Sequence, residues 1–225
     1  MQIEWKNYFD AIRCFHFLPN VDRMDRLNKE LDRVGILHNP IFQYKYTYKT
    51  VFDTYIRQVA HTTCPTFTNP ERRDLMMNLL LAYYQIFKES LGLGLQKVVV
   101  LEDDVVFTPD LVLLDTYMKA MPSDWDYIHF DRVLNSGGIP QLSLSRPVSL
   151  YYCTYFGGHW GTGFTAFSTR AMELFCTRTE EDLWPADCVL ENRDPDPGAS
   201  LHRYVPTTML VHQHGLKEYY TRLYY

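Results

Sequence analysis

With 225 residues, 46% of them hydrophobic and 22% charged, the chain holds enough apolar material for one large core, which excludes global disorder. A formal net charge of -5, with only short basic clusters such as Arg72-Arg73, argues against a nucleic-acid partner and leaves room for a small phosphorylated ligand at a local site. The five cysteines (Cys14, Cys64, Cys153, Cys176, Cys188) contain no CxxC pair, so they fit buried free thiols in a reducing compartment better than a disulfide scaffold or a cysteine-rich zinc site.

The opening Met1 to Lys6 lacks a positive segment followed by an apolar one, so no cleaved signal peptide is expected, and the apolar runs are too short for a membrane span. Ile12 to Leu18 is rich in aromatic and branched residues and reads as a first strand. Met24, Leu27, Leu31 and Val34 then recur at helical spacing behind Asp22 as a cap, and Gly35 supplies the stop. Ile41 to Tyr48 alternates weakly and is expected as a strand or extended loop, Thr50 to Ala60 as a short helix, Thr62 to Thr68 as a loop.

Asn69-Pro70-Glu71 is a helix start, with Asn69 capping and Pro70 at the first helical position, where its missing N–H is harmless. Leu75, Leu79, Tyr83, Ile86 and Phe87 form its apolar stripe, and Gly92 and Gly94 end it. Lys97 to Leu101 is apolar on both faces, as a strand covered by helices should be. A helix over Leu111 to Ala120 follows, then a strand over Asp126 to Phe130, a turn at Gly137 to Pro140, and a strand or hairpin arm over Pro147 to Tyr155. A glycine-bearing connection, Gly157 to Gly163, leads to the strand Phe164 to Ser168 and a helix over Thr169 to Thr177. Asp194 to Gly198 cannot be regular structure, and Val205 to Val211 is expected as a last strand with Pro206 near its edge. The tyrosine-rich tail, Tyr219 to Tyr225, can pack on the body, meet a partner or touch a membrane surface.

No repeat or linker divides the chain. The expectation is one α/β domain over residues 1–225 with a mixed, mostly parallel sheet and flanking helices, residues 1–130 forming a nucleotide-binding half and 131–225 an acceptor-side half with the tail.

Ligands of open α/β sheets collect beyond the carboxyl ends of strands, and Glu102-Asp103-Asp104 stands there directly after the clearest strand. Three adjacent carboxylates repel one another, and a hard divalent cation removes that problem, because carboxylate oxygens are its preferred ligands. In extended backbone Glu102 and Asp104 would share one face and Asp103 the other; Asp104 is then the preferred metal ligand, with Glu102 or Asp103 accepting from a ribose or sugar hydroxyl. A plain acidic surface loop is the competing reading, weakened by the apolar segments on both sides, including Val105-Val106-Phe107.

Leu101-Glu102-Asp103-Asp104-Val105-Val106-Phe107 resembles the acidic motif of glycosyltransferase family 25, which includes lipopolysaccharide-biosynthesis glycosyltransferases and collagen galactosyltransferases. Phe15 to Gly35 resembles that family's opening strand, turn and helix, with Asp22-Arg23 where the family has an Asp-Arg pair. Gly161-Thr162-Gly163 with Phe164 to Arg170 resembles its later glycine-bearing strand, and Pro185-Ala186-Asp187 a segment near the acceptor side. The resemblance implies a GT-A fold, a manganese (or magnesium) ion, and a uridine diphosphate sugar as donor, with galactose suggested by family similarity. It also implies a C-terminal histidine completing the metal site, His212 or His214.

The resulting expectation is a metal-dependent, inverting glycosyltransferase acting on a glycan hydroxyl, at home in the cytoplasm or at the inner face of a membrane. Asp104, Glu102, His212 and His214 would serve the metal. Arg13, Asp22, Arg23, Glu102, Asp103, Arg132, Gly161 and Gly163 would serve the donor. Asp187, with Glu191 as rival, would be the general base. Trp160 and Tyr155 could stack on a sugar. A non-catalytic sugar- or nucleotide-binding module, or a divalent-metal nucleotidyl- or phosphotransferase, remain alternatives; no GxxxxGK[ST] phosphate loop is present.

Overall fold

Val98, Val99, Val100 and Leu101 are buried, and they alternate between two cores, Val99 and Leu101 on one side and Val98 and Val100 on the other. Burying each such side chain contributes about 1.5–3 kcal/mol, so this short run anchors the sheet. The computed structural model describes residues 3–17, 21–47, 70–131, 145–155, 163–181, 186–190 and 201–213. In chain order the elements are β1 (Ala11–Phe17), α1 (Val21–Arg33), β2 (Phe42–Thr47), α2 (Pro70–Gly92), β3 (Lys97–Leu101), β4 (Val105–Phe107), α3 (Leu111–Lys119), β5 (Tyr127–His129), β6 (Ser145–Pro147), β7 (Tyr152–Tyr155), β8 (Phe164–Ser168), α4 (Thr169–Glu181), α5 (Ala186–Val189), β9 (Arg203–Pro206) and β10 (Val211–Gln213).

Eight strands form one mixed sheet in the order β2-β1-β3-β8-β5-β9-β7-β6, and β10 pairs with β4 in a small second sheet. The α/β fold with a mixed central sheet and helices on both faces is therefore present. β1 runs parallel to β2 and β3, and β5 parallel to β9. The other pairings, β3 with β8, β5 with β8, β7 with β9 and β6 with β7, are antiparallel. The sheet is thus mixed rather than mostly parallel, with parallel pairing on the β2-β1-β3 side and between β5 and β9. A parallel return requires a crossover, usually a helix. Among the described residues no helix lies between β5 and β8, and β8 comes back antiparallel between β3 and β5.

One core packs α1 and α3 against Ile12, Cys14, Val99, Leu101, Ile128 and Phe164. The other packs α2, α4 and α5 against Ala11, Val98, Val100, Tyr127 and Phe167. Helix α1 buries Leu27 and Leu31 and ends as its sequence foretells. Gly35 takes φ 73°, its N–H bonds Asp32 O at 3.0 Å, and Ile36 N–H reaches Leu31 O at 2.8 Å. That is a Schellman stop, which needs the left-handed conformation glycine adopts without strain. At α3 the cap is Asp110, whose side chain accepts from Leu113 N–H at 3.0 Å.

The expected last strand over Val205 to Val211 is in fact two, β9 in the large sheet and β10 beside β4. Pro206 offers no N–H to extend a ladder, and the chain leaves the sheet after it. Helix α4 runs to Glu181, a turn beyond the expected end, and Pro147 to Tyr155 resolves into the hairpin β6–β7. Cys14, Cys153 and Cys176 are buried free thiols. Among the described residues no helix is long and apolar enough to cross a membrane. The expectations for Thr50 to Ala60, Thr62 to Thr68, Gly137 to Pro140, Asp194 to Gly198, Cys64, Trp160 and the tail lie outside the described residues; for Tyr155 and Cys188 only the backbone is described.

Candidate active site at the carboxyl edge of the sheet

The carboxyl ends of β1, β3 and β5 and the amino end of β8 meet at one edge, because β8 alone among these runs antiparallel to its neighbours. Glu102 stands one residue past β3, and Asp103 and Asp104 form a turn before β4. Across it lies β10, with Val106 opposite His212 and Val105 opposite Gln213.

Each acidic residue has its own environment. Glu102 N–H donates to Gly163 O at 2.9 Å, and Glu102 Oε2 accepts from Gln213 Nε2 at 3.0 Å. Asp103 is buried; its Oδ2 accepts from His16 Nδ1 at 2.9 Å and its Oδ1 from Arg23 Nη1 at 3.0 Å. The same Arg23 nitrogen stands 3.6 Å from Asp104 Oδ2. Asp103 and Asp104 therefore share a cation, and the expectation that they face opposite ways is corrected: the backbone turns there, so strand alternation no longer applies.

Asp104 Oδ1 is buried with no hydrogen-bond partner. Desolvation, reinforced by the Asp103 charge, pushes the Asp104 carboxyl up to about 6, against the pull of Arg23 and Arg26. A carboxylate oxygen buried without a hydrogen-bond partner is of the type that a hard divalent cation prefers. Among the described residues no group of three His, Cys, Asp or Glu side chains gathers into a metal cage, so any cation would rest on Asp104 with few protein partners.

Asp131 enters the same edge from the end of β5. It is fully buried, its Oδ2 accepts from Gly163 N–H at 2.7 Å, and its backbone bridges Val211 of β10 in parallel. Burial is the main cause that pushes its carboxyl up to about 8; the backbone N–H bonds pull it down and the Asp104 charge raises it. Its Oδ1 lies 3.4 Å from His129 Nδ1, an electrostatic contact without hydrogen-bond geometry.

Of the residues expected from sequence, Glu102, Asp103, Asp104, Arg23 and Gly163 come together, and His212 sits on β10 beside β4. Asp22 is exposed in the first turn of α1. Arg13 is not brought in: it bonds the carbonyl of Ile41 at 3.1 Å and feels Glu89 of α2, which places it on the face of β1 opposite His16. Asp187 falls within α5, where only its backbone is described, and α5 packs in the core shared with α2 and α4. Arg132, Gly161, Glu191 and His214 lie outside the described residues. His16 and Gln213 were not among the expected site residues. His16 did carry a signal, being polar at the position that continues the buried Ile12 and Cys14 face.

No family model matches the sequence. The chain is 25% identical over 198 residues to procollagen galactosyltransferase 1 of Danio rerio, covering 83% of this chain and 32% of that protein. It thus spans about a third of the length of the curated relative it matches. Among solved structures it is similar to a glycosyltransferase involved in glycosylation of the major capsid of PBCV-1, at 13% identity and TM-score 0.48, covering 96% of this chain and 98% of that one. It is also similar to the glycosyltransferase GlyE of Streptococcus pneumoniae, at 11% identity and TM-score 0.45, covering 96% and 60%.

Proposed function

We propose that this chain is a GT-A-type, metal-dependent glycosyltransferase that moves a hexose from a uridine diphosphate sugar to a hydroxyl of a glycan acceptor, with inversion. The observation that carries the reading is Asp104, whose carboxylate oxygen is buried without a partner at the strand edge, beside two acidic neighbours already held by hydrogen bonds. Galactose is the first sugar to test, on the sequence resemblance and the name of the matched relative.

Asp104 would hold manganese or magnesium, with Glu102 and one of His212 and His214 in support. Such an ion, when bound, neutralises the charge that develops on the leaving diphosphate. The chain's own groups would do the rest. Arg23, on the rim with its side chain 43% exposed, would donate to a phosphate oxygen, a charge-assisted bond stronger than a neutral one. Asp103 stays fixed through His16, and its Oδ1 would accept from a ribose or sugar hydroxyl once Arg23 has moved to the phosphate. Asp187 or Glu191 would take the proton of the acceptor hydroxyl as its oxygen attacks the anomeric carbon and the bond to the diphosphate breaks.

The test is product analysis with manganese and a panel of UDP-sugars and glycan acceptors. Release of UDP with transfer of the sugar supports the reading. Tight binding without turnover across the panel points to a binding module, and release of pyrophosphate to a nucleotidyltransferase; either result overturns it.

A further inference from the structure

Gly163 lies where four segments cross. A Cβ placed on it would stand 2.7 Å from Asp131 Oδ2, 3.1 Å from Gln213 Cγ and 3.3 Å from Val105 Cγ1, closer than real Cβ atoms tolerate for the first of these. Its N–H is held by Asp131, and its carbonyl holds the N–H of Glu102. Gly163 therefore links, through its two adjoining peptide groups, a buried carboxyl group at the end of β5 to the first residue of the acidic triplet. Asp131 also bridges Val211 on β10, the strand whose Gln213 grips the Glu102 carboxylate at 3.0 Å. Glu102 is thus reached from Asp131 by two routes, through Gly163 to its backbone and through β10 to its side chain.

We infer that Asp131 is a positioning residue that sets the acidic turn, acting through Gly163 and β10 rather than by touching a ligand. Polar groups that are buried and mutually bonded behave as a unit, and removing one leaves the next unsatisfied. The other features of Asp131 agree with a built device. Its side chain is fully buried, and the glycine beside it admits the carboxyl group with no space for a Cβ. The ordering of the turn needs no ligand; its consequence for the nucleotide rests on the glycosyltransferase reading.

The experiment is amide hydrogen exchange on the whole chain, for the wild type, Asp131→Ala and Asp131→Asn, followed by manganese–UDP titration of each. In the wild type, Gly163 and Glu102 amides should open in one event, with the same denaturant dependence. In Asp131→Ala both should exchange about tenfold faster or more, over and above any change at Ala166 in the middle of β8. Asp131→Asn keeps an oxygen that can accept from Gly163 N–H, so it should restore protection at both amides and restore affinity for manganese–UDP. Unrelated opening of the two amides in the wild type overturns the inference even if Asp131→Ala does not fold. So does equal acceleration at Ala166, or failure of the asparagine to rescue. If the exchange results hold while the wild type binds no manganese–UDP, the functional reading fails and the role of Asp131 in ordering the turn stands.

Discussion

His16 holds Asp103 from inside the sheet: its Nδ1 meets Asp103 Oδ2 at 2.9 Å, and both side chains are almost wholly buried. The pair joins β1 to the turn after β3, so the two parallel strands carry the same piece of site between them. His16→Ala removes one of the hydrogen bonds that hold Asp103 and should cost about 1–3 kcal/mol, the range for a buried polar group that loses its bond. Urea unfolding checks it; a loss below about 0.5 kcal/mol would show that water replaces the imidazole.

Arg23 should act as a rival to the cation. Its guanidinium stands 3.6 Å from Asp104 and 3.0 Å from Asp103, yet its side chain is 43% exposed, so the ion pair itself should contribute only about 0–1 kcal/mol to stability. Arg23→Ala is therefore expected to fold normally and to bind manganese roughly several-fold more tightly without nucleotide, since a positive charge next to the ligand oxygens is gone. With UDP present the order should reverse, because the phosphate loses its donor. Calorimetric titration with manganese alone and with UDP reads both; weaker manganese binding in the absence of nucleotide would contradict the account.

Asp131 should make the protein less stable as pH rises. Its carboxyl is raised from 3.8 to about 8 in the fold, so the folded chain holds a proton there that the unfolded chain has lost. The stabilisation from this proton is complete below pH 3.8 and is lost as pH climbs through about 8. Asp131→Asn stays neutral throughout, so its Tm should fall less than the wild type's across that window, and the difference should grow with pH. Parallel Tm curves would mean that Asp131 is charged in the fold at neutral pH.

How far the sequence reveals this arrangement depends on range. The strand Lys97–Leu101 was legible because a run apolar on both faces has few alternatives, and the stop at Gly35 because only a left-handed residue closes a helix that way. The acidic triplet stood out as a candidate site because carboxylates at a strand end need a partner. Its partners were not. His16 and Asp103 are 87 positions apart, Gln213 and Glu102 are 111 apart, and nothing local in the sequence announces such pairings. Arg13 and Arg23 look alike as cations in the sequence; strand alternation turns one toward α2, while the helix start aims the other at the turn. Helix α1 also secures the far end of the turn. Glu30 accepts from Phe107 N–H at 3.1 Å, and Arg33 donates to Phe107 O at 3.0 Å, satisfying the edge of β4 that β10 leaves open.

The measurement that bears most directly on the proposed chemistry is manganese–UDP affinity of the wild type and Asp104→Asn as a function of pH. With the Asp104 carboxyl at about 6, a proton competes with the cation, so wild-type affinity should weaken as pH falls through that value. Asp104→Asn should bind weakly at every pH while keeping the wild-type fold. Equal affinity in the two proteins, or an affinity indifferent to pH around 6, would contradict a cation held by Asp104.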